Sequence, residues 1–284
     1  MDNFEISNLR NPQNAELNIG DCHFNTYILS NFRNIGKFKL YKINVFGSEK
    51  GNLFQIDNTS IGDTDFQAIC LTSFKIVRLF DNIFSNIHYT NMQWKESVEV
   101  GQYHDSGITQ IAKKRDTYRV LKNVAHDNND QQQALIFYTK EMQHHKALTL
   151  ESRCHKKDFK RFFVKDILCS HNNGWLKDGR AQDILTLFFN EKTNNFGLDW
   201  WQPIKLIIIS SVIFYYFFLL SLDVGDTSIY WKNIFEFINP THSIEFIAKG
   251  KWTAYSYSID FIYRIFEGTL IYQTVVAFRK FSKK

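Results

Sequence analysis

The chain has 284 residues, 16% of them aromatic, with 27 Phe, 3 Pro and a net charge of +5. Its mean hydropathy of −0.30 indicates that most of it lies in water, and its aromatic content excludes a disordered chain. Four cysteines are widely spaced, at Cys22, Cys70, Cys154 and Cys169. With no secretory signal in the polar stretch Met1–Gly20, they indicate reduced cytosolic thiols.

Residues 1–112 place an apolar residue at every fifth position. The two runs are Leu17, Cys22, Tyr27 and Phe32, and then Ile56, Ile61, Phe66, Leu71 and Ile76. A period of five matches neither helix nor strand. It is typical of a four-sided β-solenoid, in which each five-residue face directs one or two side chains inward. Asn34 breaks a column and Lys37–Asn52 holds no clear register, so chance regularity in a Phe-rich sequence is the alternative.

Residues 113–198 change to helical periodicity. Thr117–Val124 and Gln131–Gln143 predict two helices separated by the polar turn His126–Asp130, which is the plan of an αα-hairpin. Further helices are expected at Lys157–Leu168 and Asp178–Phe189, before a break at Asn194–Gly197.

The basic excess of the chain lies in residues 113–165, with 13 Lys or Arg against 6 Asp or Glu. Three interpretations of its densest part stay open: it binds the anionic cytoplasmic leaflet, it binds a phosphorylated ligand such as a nucleotide or oligonucleotide, or it is a solvated helix face. The candidate binding residues are Lys156, Lys157, Lys160, Arg161 and Lys165.

Residues 199–284 are expected to cross a membrane twice. Leu206–Leu222 holds 17 residues without a charge, at the short end of a spanning helix. Ile259–Phe278 has the length of a second pass but contains Asp260, Arg264 and Glu267. Their spacing places them on one helix face, which must look at other helices or a wet cavity. A helix lying in the membrane interface is the alternative.

The C-terminal tail is basic, with Arg279, Lys280, Lys283 and Lys284. The positive-inside rule therefore places both termini in the cytoplasm. Between the two passes, the aromatic stretch Ser228–Asn239 is too short to cross and is expected to be interfacial or re-entrant.

Several stretches together resemble a known family. In the first part they are Ala15–Leu17, Cys22–Phe24, Ser30–Phe32 and Thr64–Phe66, and in the second part they are Asp116–Lys122, Ala134–Met142, Asn194–Gly197 and Asp260–Phe281. The chain resembles bacterial pentapeptide-repeat-containing integral membrane proteins. The resemblance implies a pentapeptide-repeat-like β-solenoid, a helical region and two C-terminal transmembrane helices of an ion-channel-like kind.

Enzymatic chemistry is not expected. The sequence has no Gly-rich phosphate loop, no G-x-S-x-G, no H-E-x-x-H and no paired-Cys zinc spacing. Cys154, His155, Cys169 and His171 could supply four zinc ligands, but ordinary thiols and surface histidines are the favoured interpretation. We therefore expect neither a metal nor a cofactor.

Two function classes remain. In the first, a homo-oligomer, with a tetramer preferred, forms a gated ion channel controlled by its soluble region, which suits a bacterial stress or anti-phage effector. The expected pore or interhelical residues are Asp260, Arg264, Glu267, Ile271 and Thr274, with Ile271 as a hydrophobic constriction. In the alternative, the chain is a membrane-anchored scaffold or docking protein without a pore.

Overall fold

The structure is a computed structural model that describes residues 3–45, 52–80, 82–84, 86–95, 97–99, 107–151, 180–222, 233–248 and 250–282. The chain forms two compact units, Met1–Ile184 and Leu185–Lys284. The division falls inside a helix, Arg180–Asn194.

The first unit opens with a parallel β-solenoid whose strands lie in four levels. The levels are β1 (Asn3–Ser7), β2 (Arg10–Asn11) and β3 (Glu16–His23); β4 (Thr26–Ser30), β5 (Arg33–Asn34) and β6 (Lys37–Asn44); β7 (Leu53–Asp57), β8 (Ser60–Ile61) and β9 (Thr64–Gln67); β10 (Ile76–Phe80), β11 (Ile83–Phe84) and β12 (Ile87–Thr90). The sheets run in the orders β1-β4-β7-β10, β11-β8-β5-β2 and β12-β9-β6-β3. The predicted β-solenoid is therefore confirmed.

The five-residue period arises because each side of a coil directs two alternate side chains into the core. From Phe54 to Leu71 both members of each pair are buried, as in Phe54 with Ile56 and Thr64 with Phe66. Rings stack between levels, with the centroids of Tyr27 and Phe54 5.0 Å apart. Most members of the predicted apolar columns therefore lie in the solenoid core, with Leu17 and Cys22 half-buried against it.

The coil is longer than an uninterrupted four-sided one, which needs about 20 residues. Leu53 pairs with Ile76, which lies 23 positions further on. The fourth side of this coil contains Cys70, which forms an isolated parallel bridge with Gln93. A 3-10 turn at Leu71–Ser73 follows, and the additional residues lie between the start of this turn and β10. Because of this insertion Ile76 is half-buried, and Val77 and Leu79 continue the core instead.

Two departures from the column pattern were interpreted wrongly from the sequence. Asn34 does not break its column: it is 4% exposed, and its Oδ1 accepts a hydrogen bond from Asn11 Nδ2 at 2.8 Å. Lys37–Asn44 is a strand that pairs in register with β3 and β9. One additional residue precedes it at a tight corner, where a Cβ on Gly36 would lie 2.2 Å from the carbonyl oxygen of Ala15. Residues 46–51 lie outside the described part.

Two antiparallel helices, α1 (Gly107–Asp127) and α2 (Gln131–Glu151), follow the solenoid. This confirms the predicted αα-hairpin, with longer helices than expected. Tyr118 and Phe137 belong to the same hydrophobic core as the solenoid interior. At the turn, Asn128 Nδ2 donates to Ile87 O at 2.6 Å, and the Tyr89 N–H donates to Asn128 Oδ1 at 2.9 Å. The hairpin therefore caps the last coil, as terminal elements of solenoids do.

The second unit is helical. Its elements are the end of α3 (Arg180–Asn194), a 3-10 turn (Asn195–Gly197), α4 (Trp201–Leu220), α5 (Ile234–Phe237), α6 (Ile244–Ala248) and α7 (Ala254–Ser282). The expected break at Asn194–Gly197 is present, and Phe196 has a φ of 57° there. Asp199 Oδ1 then accepts the N–H groups of Trp201 at 2.9 Å and Gln202 at 3.1 Å, which caps the start of α4.

Helices α4 and α7 pack as an antiparallel pair. At one end the rings of Trp200 and Phe278 lie 4.7 Å apart, and at the other Thr253 Oγ1 donates to Ser221 O at 2.8 Å. Among the described residues, α4 is the one helix long and apolar enough to cross a membrane, with a mean hydropathy of 2.0. Helix α7 contains the predicted second pass but does not reach that hydropathy.

Candidate functional site

The two acidic residues of α7 lie on the face that packs into the unit. Asp260 is 4% exposed and Glu267 is 1% exposed. Arg264 is half-buried, with 34% of its side chain exposed. The exposed residues between Ala254 and Phe278 carry no charge, and most are large and apolar: Tyr255, Tyr257, Phe261, Ile262, Ile265, Ile271, Tyr272, Val275 and Phe278. Helix α7 is thus polar inside and apolar outside.

At one end of the hairpin, Asp260 binds two partners. Its Oδ1 lies 2.6 Å from His242 Nε2, and its Oδ2 accepts a hydrogen bond from Arg264 Nε at 2.8 Å. The ring is closed by Arg264, which donates from Nη2 to the His242 carbonyl oxygen at 2.6 Å. The other imidazole nitrogen of His242 lies 2.6 Å from Asn239 O. The expected pairing of Arg264 with a carboxylate is therefore present, through Asp260.

Glu267 lies two turns further along α7 and is bound differently. Tyr263, one turn before Glu267, has its hydroxyl 2.7 Å from Ser211 Oγ on α4. The carboxyl oxygen Oε2 of Glu267 is buried and has no hydrogen-bond partner in the described part of the chain. Such an unsatisfied buried group is costly and marks a candidate site.

The other two predicted pore residues are placed differently. Thr274 is half-buried, and its hydroxyl donates to the Leu270 carbonyl of its own helix at 2.9 Å. Ile271 is 37% exposed, so within one chain it does not share the buried face of Glu267. Their roles in a pore stay predictions.

A second polar cluster lies near the opposite end of α7, where the sequence predicted only a break. Asn194 Nδ2 donates to Gln273 Oε1 at 2.5 Å, and Gln273 Nε2 donates to Asn190 Oδ1 at 3.0 Å. Lys280 donates to Phe196 O at 3.0 Å. Gly197 is required here, because its φ is +96° and a Cβ would lie 2.7 Å from Lys280 Cδ.

The sequence analysis did not identify two residues of these polar clusters, His242 and Gln273. Neither belongs to a charge pattern, and each meets its partner from far along the chain. The local signals were the turn after Asn239–Pro240, which positions His242, and the Asn194–Gly197 break, which positions the partner of Gln273.

The predicted basic binding residues lie outside the described part of the chain: Lys156, Lys157, Lys160, Arg161 and Lys165. Two cations of α1, Arg119 and Lys122, are engaged by a buried carboxylate of α2. Glu141 Oε1 accepts a hydrogen bond from Arg119 Nε at 3.1 Å, and Glu141 Oε2 accepts one from Lys122 Nζ at 2.8 Å. A phosphate-binding role thus stays a prediction for the segment after α2. In the described ranges no group of His, Cys, Asp or Glu side chains could hold a metal ion.

The chain was compared with family models, curated proteins and solved structures, and none of the three comparisons finds a match. The implied kinship with pentapeptide-repeat membrane proteins therefore stays a prediction. Its function has to be argued from the geometry of the chain.

Proposed function

We propose that α4 and α7 form a two-pass membrane hairpin. The observation that carries this proposal is the largely apolar outer surface of α7 between Ala254 and Phe278 together with the inward position of Asp260 and Glu267. Charged side chains are rarely buried in water-soluble folds. An exposed apolar surface as large as that of α7 is typical of a site that contacts a membrane or a protein partner. The 29 residues of α7 span about 43 Å, which is enough to cross a bilayer.

The proposed orientation has both chain ends on the cytoplasmic side of a bacterial inner membrane. Lys205 near the start of α4 and Arg279 near the end of α7 are both exposed, and they lie at the same end of the antiparallel pair. Trp200 and Trp201 lie at that end too, as aromatic residues do at a membrane interface. Basic residues favour the cytoplasmic side, so the first unit lies in the cytoplasm.

We further propose that the hairpins of several copies, with a tetramer preferred, form a gated ion channel. Ionisable residues inside a membrane are expensive and accompany ion pathways, and a simple anchor has no need of Glu267. The solenoid and its capping hairpin provide the regulatory region. A channel with such a regulatory region suits a bacterial stress or anti-phage effector. The basic residues between Lys156 and Lys165 would bind a nucleotide or oligonucleotide as the ligand.

A membrane-anchored docking protein without a pore is the second candidate. The observation that favours it is the closed ring of hydrogen bonds formed by His242, Asp260 and Arg264 within one chain. Polar residues satisfied in this way stabilise a hairpin and leave nothing to line a pathway. The solenoid would then be the functional surface.

The test is the conductance of the purified full-length protein in planar bilayers, with and without nucleotides, together with its mass in mild detergent. A pore predicts currents and an oligomer, whereas silent bilayers and a monomer would support the anchor. Ile271→Ser is expected to leak without stimulus, because a polar side chain wets a hydrophobic constriction. Ile265→Ser is the matched control, since Ile265 is 58% exposed on another side of α7.

A further inference from the structure

Glu267 is a buried ionisable group of α7 with one carboxyl oxygen, Oε2, that no described residue binds. The residue is 1% exposed. Transfer of an ionised carboxylate into such surroundings is far more costly than transfer of the neutral acid. The group must therefore bind a cation or carry a proton.

The charged and titratable groups around Glu267 do not supply a cation. Arg264 is committed to Asp260 through Nε and to the His242 carbonyl through Nη2. His242, which precedes α6, is bound to Asp260. Helix α4 contributes the hydroxyl of Ser211. No salt bridge to Glu267 within 4.0 Å thus arises from these elements.

A metal ion fits the site poorly. Divalent cations of the calcium and magnesium type take six or more oxygen ligands. The described neighbours of Glu267 offer the hydroxyls of Tyr263 and Ser211, and no metal-binding group is present among the described residues. A proton needs no such shell.

The hydrogen bonds around Tyr263 give an independent count of protons. Ser211 donates its hydroxyl proton to Ile207 O at 2.6 Å, so it accepts from Tyr263. Tyr263 has then used its proton and has none to donate to Glu267. The buried carboxyl, whose Oε2 has no partner among the described residues, is therefore favoured as the neutral acid.

We infer that Glu267 is a proton-binding site, protonated in this closed arrangement, and that the proton is the ion the hairpin conducts. This inference rests on the proposed channel function and specifies its ion. Asp260 lies seven positions before Glu267, about 10 Å along the helix, with the Tyr263 hydroxyl between them. Carboxyl, hydroxyl and imidazole groups in such a series are the components of intramembrane proton relays.

The first experiment measures ion flux in liposomes that contain the full-length protein and a pH-sensitive dye. Wild-type protein is expected to pass protons and not potassium or sodium, and Glu267→Gln is expected to lower the proton flux at least about tenfold. Thr269→Val, a change of similar volume at a hydroxyl that bonds its own helix at Ile265 O, is the control and should retain the flux.

The outcomes separate this inference from the channel proposal. Potassium or sodium currents without proton flux, or full proton flux in Glu267→Gln, would overturn the proton site and leave a channel. Absence of flux for every ion would overturn both. Infrared spectroscopy gives a readout independent of transport: wild-type protein at neutral pH should show the carbonyl stretch of a buried protonated carboxyl group, and Glu267→Gln should lack it. If the two spectra are the same in that region, Glu267 is ionised and the inference is wrong.

Discussion

The imidazole of His242 and the carboxylate of Asp260, 18 positions apart in sequence, meet at 2.6 Å in the interior of the helical hairpin. Asp260 also binds Arg264, so one buried carboxylate joins α7 to the turn before α6. The contact fixes the short helices between α4 and α7 against the pair. Its removal should therefore affect folding of the hairpin more than any surface change on α7.

Asp260→Asn tests this joint. The amide keeps the size of the side chain but removes the charge that Arg264 and His242 share, and we expect a loss of about 2 to 3 kcal/mol in the free energy of unfolding. Thermal unfolding in detergent measures it. Ser258→Ala is the control, because that exposed hydroxyl bonds only Ala254 O of its own helix among the described residues. Equal stability of Asp260→Asn and wild type would contradict the role assigned to Asp260.

Tyr27 at the centre of the solenoid predicts a stabilising mutation. The side chain is 0% exposed, its ring stacks between Phe4 and Phe54, and its hydroxyl has no partner in the described ranges. Tyr27→Phe keeps the stack and removes the unsatisfied hydroxyl. We expect a gain of about 1 to 2 kcal/mol in denaturant unfolding. Tyr41→Phe, at a half-buried ring, is the control, and a loss of stability in Tyr27→Phe would show that the hydroxyl has a partner.

The same residue predicts a pH dependence. Burial raises the pKa of Tyr27 above its ordinary value. Below about pH 10 both folded and unfolded chains keep the proton; above it the unfolded chain loses the proton while the folded chain holds it. Stability should therefore fall as the pH rises beyond that value. Unfolding midpoints between neutral and alkaline pH should fall less in Tyr27→Phe than in wild type, and parallel curves would refute the assignment.

Substitution of Asn128 tests how much the turn between α1 and α2 stabilises the last coil of the solenoid. Its amide donates to Ile87 O, and its carbonyl accepts the Tyr89 N–H. Asn128→Ala leaves both backbone groups without these partners, and we expect a loss of about 2 kcal/mol. Hydrogen exchange of the β12 amides should accelerate selectively. His126→Ala, at an exposed side chain of the same turn, is the control, and unchanged exchange in Asn128→Ala would mean that the core contacts alone hold the cap.

The topology of the proposed hairpin predicts opposite labelling of its two ends. In a chain whose native cysteines are replaced, Lys251→Cys should react with an impermeant thiol reagent added outside the cell. Arg279→Cys should react only after the membrane is opened. Both positions are exposed, so accessibility is not limited by the fold. The reverse pattern would place the solenoid outside the cytoplasm.

The sequence alone determined the classes of structure along the chain. The five-residue columns around Tyr27 and Phe54 predicted a solenoid, because inward side chains of each coil must recur wherever a face repeats. The polar turn before Gln131 predicted the hairpin of α1 and α2. The spacing of Asp260, Arg264 and Glu267 predicted one polar face on α7. Each of these inferences depends on residues close together in the chain, and so on local periodicity.

Only the tertiary structure decided which partners these residues have. The burial of Asn34 in a continued column depends on Asn11 in the preceding coil, and the strand at Lys37–Asn44 depends on the additional residue accommodated at Gly36. The hairpin of α1 and α2 caps the solenoid because the last coil alone would leave apolar side chains exposed. His242 binds Asp260 because folding brings the turn before α6 next to α7. Arg264 is one turn from both Asp260 and Glu267 along the helix, and the packed structure pairs it with Asp260. A hydrogen bond between segments that are distant in sequence depends on how the segments are placed in three dimensions. Local periodicity does not contain that information.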